Sequence, residues 1–159
     1  MLTESQIKDV WEGQISAEVR SLYFGDLANL YSTRKQWITG VSFFLSSGAA
    51  ATLIAKMPLW VPLACSIAVA VVTAYSVAVN LDGKIRTMAK LHYGWATIGN
   101  GYSQLWSHTW SDEAPAELED LQRRELELSE LAATDAPNDP NRLSRWQDQV
   151  FKLRRLESA

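Results

Sequence analysis

Residues 37–55 read WITGVSFFLSSGAAATLIA and residues 57–81 read MPLWVPLACSIAVAVVTAYSVAVNL, with Lys56 as the one charge between them. As a helix the first run covers about 27 Å, close to the hydrocarbon thickness of a bilayer; the second spans about as much after Pro58 and Pro62 take residues from its start. A buried soluble helix is also uncharged all round, but two in succession need cover on every side. The remaining segments are too polar to supply it. The expected fold is therefore all-α, a two-helix transmembrane hairpin continuous with a cytoplasmic helical bundle. The expected divisions are a cytoplasmic amphipathic helix over 1–36, the hairpin over 37–81 and a cytoplasmic helical region over 82–159.

Both runs are rich in small and hydroxyl residues. Thr39, Ser42 and Ser46 fall on one helical face of the first, where Ser47, Ala51 and Ala55 also recur every four residues. In the second, Ser66, Thr73, Ser76 and Asn80 form a polar seam, and Ser66, Ala70, Ala74 and Ala78 form a ridge of small side chains. Small residues let helix backbones approach closely in lipid, and hydroxyl or amide groups bond across the contact. The plainer use of such a seam is packing within the hairpin, with Ser and Thr bonding the carbonyls of their own preceding turn. The sharper use is a self-association face or the wall of a water-filled pore.

A chain of 159 residues normally makes one domain, and the two runs leave about half of it for a water-soluble helical layer. The net charge of −3 and the lack of a dense Lys/Arg cluster argue against direct nucleic-acid binding. Cys65 is the single cysteine, so neither a disulfide framework nor a metal quartet is expected. The N-terminus is charged and amphipathic, which predicts no cleavable signal peptide. Arg34 and Lys35 precede the first run and Lys84, Arg86 and Lys90 follow the second, so both termini are expected in the cytoplasm. Trp37 and Trp60 sit where interfacial aromatic anchors belong.

Thr3 and Gln6 make a capping box for a first helix, in which Ile7, Trp11, Ile15, Val19, Leu22 and Leu30 recur at helical spacing. With no proline before Pro58, one long helix should run from the bundle into the first span. Past the second span, Ile85, Met88, His92, Trp95, Gly99, Tyr102 and Trp106 occupy heptad positions of a second stalk helix, flanked by Leu91, Ile98 and Leu105. Gly99-Asn100-Gly101 could break that helix or admit a close neighbour, and a kink is the favoured expectation. Trp11, Ile15, Trp95 and Tyr102 are the expected cytoplasmic core. A polar connector over 107–115, with a helix start signal at Ser111 or Asp112, leads to a charged amphipathic helix over 116–133. A turn-rich loop over 134–141 then precedes a last helix over about 142–157. These two helices are too short to stand alone and should fold back on the stalk.

Catalytic chemistry is not expected. His92 and His108 are the only histidines, and there is no carboxylate pair in metal-binding spacing, no nucleophile elbow and no Gly-rich phosphate loop. No cofactor or metal is expected either.

A helix leading into the first span, a tight hairpin with basic inner flanks, and a post-membrane helix carrying Lys90-Leu91-His92-Tyr93 and then Tyr102-Ser103-Gln104-Leu105 together resemble the SLATT group of bacterial two-transmembrane proteins. The resemblance covers most of residues 5–155. The Gly99-Asn100-Gly101 triplet and the last two helices fall outside what it assigns. It implies an oligomeric effector in the bacterial inner membrane that permeabilises the host membrane when triggered in antiphage defence. It further implies partners in the lipid bilayer, other copies of the chain, and a defence-system sensor, nucleotide synthase or reverse transcriptase. No fused sensor is expected, so a trigger would have to arrive through a partner or bind the cytoplasmic helices. A constitutive membrane scaffold or docking protein and a phage holin share the same layout. Neighbouring genes separate them: a nucleotide cyclase or reverse transcriptase for the effector, an endolysin for the holin.

Overall fold

The structure is a computed structural model that describes residues 1–46, 58 and 60–154; the side chains of residues 45, 46, 62, 65 and 76 are not described. The described residues are all-α: α1 (Glu4–Ser46), α2 (Trp60–Ala78), α3 (Leu81–Ser107), α4 (Ala114–Asp135) and α5 (Pro140–Leu153). They form two compact units, one made of Met1–Ala28 with Arg86–Ala159 and the other of Asn29–Ile85. Among the described residues no helix is long and apolar enough to cross a membrane. The all-helical class holds, and the transmembrane hairpin remains an inference from sequence. Residues Ser47, Ala51, Ala55, Lys56 and Met57 lie outside the described residues, as do the side chains of Cys65, Ser46 and Ser76.

In the first unit, α1 starts on the expected capping box. The Thr3 amide donates to Gln6 Oε1 at 2.9 Å, and the Gln6 amide donates back to Thr3 Oγ1 at 3.3 Å. The buried face of α1 only partly follows the expected stripe. It runs through Val10, Gly13, Ala17, Ser21, Phe24 and Leu27 and keeps Val19 from the stripe, with Trp11, Ile15 and Leu22 only half-buried beside it. Small side chains at Gly13, Ala17 and Ser21 let α3 approach closely, and at that distance backbone proximity outweighs side-chain size. On α3 the buried residues are Met88, Leu91, Trp95, Ile98, Tyr102 and Leu105, while His92 and Trp106 are exposed. The buried stripe therefore keeps Met88, Trp95 and Tyr102 from the heptad and takes its flanking leucines and isoleucine in place of His92, Gly99 and Trp106.

The helix α3 is unbroken across Gly99-Asn100-Gly101. A Cβ on Gly101 would come within 2.6 Å of Leu121 Cδ2, whereas one on Gly99 would make an ordinary 3.6 Å contact with Ala17. The triplet thus admits α4 at Gly101 without ending the helix.

The helix α4 begins two residues before its expected start, with Pro115 in its first turn, where a missing N–H costs nothing. The Ser111 hydroxyl accepts from the Glu113 amide at 3.2 Å just ahead of it. The helix α5 begins at Pro140, with Asp139 as the N-cap accepting from the Arg142 amide at 3.1 Å. Both helices pack onto the stalk, burying Ala114, Leu118, Leu121 and Val150. The connector before α4 also holds the chain start, where the Leu2 amide donates to the Thr109 carbonyl at 2.9 Å.

Candidate functional site

The second unit presents large apolar side chains outward. Trp37, Phe43 and Val77 are 71%, 77% and 76% exposed, and Phe44, Trp60, Leu63, Ile67, Val71 and Tyr75 are exposed as well. Water-soluble chains rarely leave so many large apolar side chains of one segment open. Of the seam residues, Thr39, Ser66 and Thr73 are exposed and Ser42 is half-buried. The ridge residues Ala70, Ala74 and Ala78 are exposed along α2. Beyond its own helix backbone and chain neighbours, Gly40 has no atom of the described residues within 4 Å of where a Cβ would stand, and it opens onto a groove lined by Trp37, Val41 and Phe44.

Asn80, grouped with the seam from its spacing, stands after the end of α2 with φ of 48°. That left-handed conformation suits Asn better than most residues and ends α2. The Asn80 side chain then caps α3, accepting from the Gly83 amide at 3.2 Å, and its carbonyl accepts from the Lys84 amide at 3.0 Å. Asn80 is a junction residue between two helices. Beside it, Lys35 Nζ lies 2.5 Å from Asp82 Oδ1, and Lys84 Nζ sits 5.7 Å from the centre of the Tyr31 ring. Among the described residues, the charges of this unit therefore gather at the foot of its apolar segment.

In the first unit, Trp95 and Tyr102 are 0% and 1% exposed. Trp11 and Ile15 instead line a groove of about 440 Å³ against Leu143 and Phe151 of α5. Trp11 makes a tilted ring contact with Trp106 at 5.7 Å. The four residues thus fall in two places: Trp95 and Tyr102 in the centre, Trp11 and Ile15 on the α5 side.

A polar network surrounds the centre. The Tyr102 hydroxyl donates to Glu125 Oε2 at 3.1 Å, and burial followed by the Glu125 charge holds its ionisation well above the usual tyrosine range. Arg20 lies with its guanidinium carbon 4.5 Å from the centre of the Trp95 ring and donates to Ser129 Oγ at 3.2 Å. The Trp95 indole N–H is buried without a hydrogen-bond partner among the described residues. His92 Nδ1 lies 2.8 Å from the Ser21 carbonyl oxygen, which makes Nδ1 the protonated nitrogen.

Docking of α5 is polar. Arg142 Nη1 and Trp146 Nε1 both donate to Asp26 Oδ2, at 2.7 and 3.2 Å, and Arg154 pairs with Glu18 at 2.7 Å. Burial works against the Arg142 charge, but Asp26 and Asp139 outweigh it and hold its ionisation above the usual value. Neither Asp26 nor Glu18 stood out in sequence, because their partners lie far along the chain. Among the described residues no group of three His, Cys, Asp or Glu side chains is placed to hold a metal ion.

No protein-family model, curated protein or solved structure matches this chain.

Proposed function

We propose that the chain is an oligomeric effector whose residues 37–81 insert as a helical hairpin in the bacterial inner membrane, with both termini cytoplasmic. In this reading it permeabilises that membrane when triggered in antiphage defence, without catalysis and without a cofactor. The observation that carries the membrane part is the outward apolar surface of the second unit, continuous in sequence with the two uncharged runs. Each Phe, Leu, Ile or Val of that surface taken out of water contributes about 1.5–3 kcal/mol when fully buried. The defence role is supported by the resemblance to SLATT proteins alone.

A hairpin with neutral spans conducts only if several copies enclose water, most simply in a ring with cyclic symmetry. One hydroxyl seam then faces the axis: Thr39, Ser42 and Ser46, or Ser66, Thr73 and Ser76. The ridge at Ala70, Ala74 and Ala78 brings neighbouring helices together. Exposed Tyr93, Trp110 and Leu126 in the first unit favour a second reading, a membrane scaffold that docks another protein.

Dye release from liposomes, read beside oligomer size in detergent, separates the two. Leu at the lining hydroxyls should leave the oligomer intact and silence release, because the path dewets. Leu at the ridge should disperse the oligomer and silence release. If the triggered protein never releases dye, or if seam substitutions leave release intact, the pore reading fails.

A further inference from the structure

The first unit holds a cavity of about 410 Å³ between α1, the C-terminal half of α4 and the loop leading to α5. That volume falls in the range of small-molecule sites, which are mostly apolar with a few placed polar groups. Its walls follow the pattern. Tyr23 and Phe24 come from α1, Ala132 and Ala136 from the α4 end, Leu143 from α5, and Arg20 and Ser129 supply polarity.

Arg20 is the uncommon feature. The two arginines that tie α5 to α1 have a carboxylate oxygen at 2.7 Å, Asp26 for Arg142 and Glu18 for Arg154. Among the described residues the nearest carboxylate to Arg20 is Glu125 Oε1 at 3.9 Å, and the other oxygen of Glu125 is taken by the Tyr102 hydroxyl. Arg20 Nη1 bonds Ser129, which leaves Nε and Nη2 without a hydrogen-bond partner among the described residues. Stacking on Trp95 holds the guanidinium plane in place, and its side chain is 41% exposed. The remaining acid at the cavity, Asp139, is already committed to Arg142, its Oδ1 to the amide and its Oδ2 to Nε.

We infer that this cavity binds a small amphipathic anion, with an apolar body against Tyr23, Phe24 and Leu143 and one carboxylate or phosphate group on Arg20. An anion there meets a fixed, charged donor fork and displaces water, not an existing close ion pair. The bound molecule would touch α1, α4 and α5 together. The site stands whether or not the hairpin conducts.

The test is isothermal titration of the full chain in detergent, against a detergent blank, with 4-phenylbutyrate, phenyl phosphate and the neutral 4-phenylbutanamide. The two anions should bind saturably, one per chain, and the amide at least about tenfold more weakly. Arg20→Gln should lower anion affinity at least about tenfold, and Arg20→Lys should restore part of it. Ala136→Phe, which fills the cavity, should abolish binding of all three probes. Helix melting by circular dichroism accompanies each variant, and only variants that retain the parent melting profile are compared. No saturable binding of either anion, equal binding of acid and amide, or unchanged affinity in a folded Arg20→Gln protein would each overturn the assignment.

Discussion

Gly13 of α1 faces the ring of Tyr102, and a Cβ there would stand 2.6 Å from Cζ and 2.8 Å from Cε2. The Tyr102 ring is buried and its hydroxyl is bonded to Glu125, so it has little freedom to withdraw. Gly99 of α3 is the matched control, since a Cβ there meets Ala17 at an ordinary 3.6 Å. Both Gly13→Ala and Gly99→Ala gain about 1 kcal/mol of helix propensity. Only Gly13→Ala adds the overpacking cost, about 1–3 kcal/mol. The propensity gain cancels in the comparison, so the difference between the variants isolates the contact. At about 2–4 °C per kcal/mol for a chain of this size, Gly13→Ala should melt about 2–12 °C below Gly99→Ala. The assay is far-UV circular dichroism melting of both variants in one detergent. Equal melting temperatures, or a higher one for Gly13→Ala, would refute the close packing of α1 on Tyr102.

Other outcomes follow from the same centre. Trp95→Asp places an unpaired carboxylate at a fully buried position and should cost several kcal/mol, unfolding or dispersing the protein; unchanged melting and size would mean Trp95 is not in the core. Because the ionisation of Tyr102 is raised in the folded state, the unfolded chain loses this proton first as pH climbs. The unfolded state then binds fewer protons, and stability falls from about pH 10 upward. Tyr102→Phe should make that alkaline fall shallower in urea titrations at stepped pH, and an identical slope would contradict it. Asp120, whose carboxyl is held below its usual range by the hydrogen bond from Arg123, works with the opposite sign. Its contribution is present above the unfolded value and lost as pH falls through the folded one. On a half-exposed side chain that salt can screen, it should vanish in high salt, and Asp120→Asn should then melt like the parent at every pH tested.

Much of the helical order was legible in local chemistry. The Thr3 and Gln6 cap, the absence of proline before Pro58 and the start signal at Ser111 or Asp112 each act within a turn or two. Asp139-Pro140 carried an equally local N-cap signal, yet it fell inside the expected loop because the surrounding Pro, Asn and Asp residues read as turns. The rotated stripe on α1 was hidden for a different reason. Periodicity weighs large apolar residues, whereas the α1 and α3 contact is built on Gly13, Ala17 and Ser21. Asn80 shared the three-and-four spacing of Thr73 and Ser76, and spacing does not register that the backbone turns left-handed there. Arg20 gave no signal at all. Its significance lies in the carboxylate it lacks at close range, and that depends on where Glu125, more than a hundred residues away, places its oxygens.

The placement of residues 37–81 in a bilayer is settled most directly by cysteine accessibility. In a Cys65→Ala background, Thr3→Cys, Met57→Cys and Ser158→Cys would each be treated with a membrane-impermeant maleimide in intact spheroplasts and again after lysis. Met57→Cys should react in intact spheroplasts, while Thr3→Cys and Ser158→Cys should react only after lysis. Labelling of either terminus from outside, or protection of Met57→Cys until lysis, would contradict the membrane hairpin with both termini in the cytoplasm.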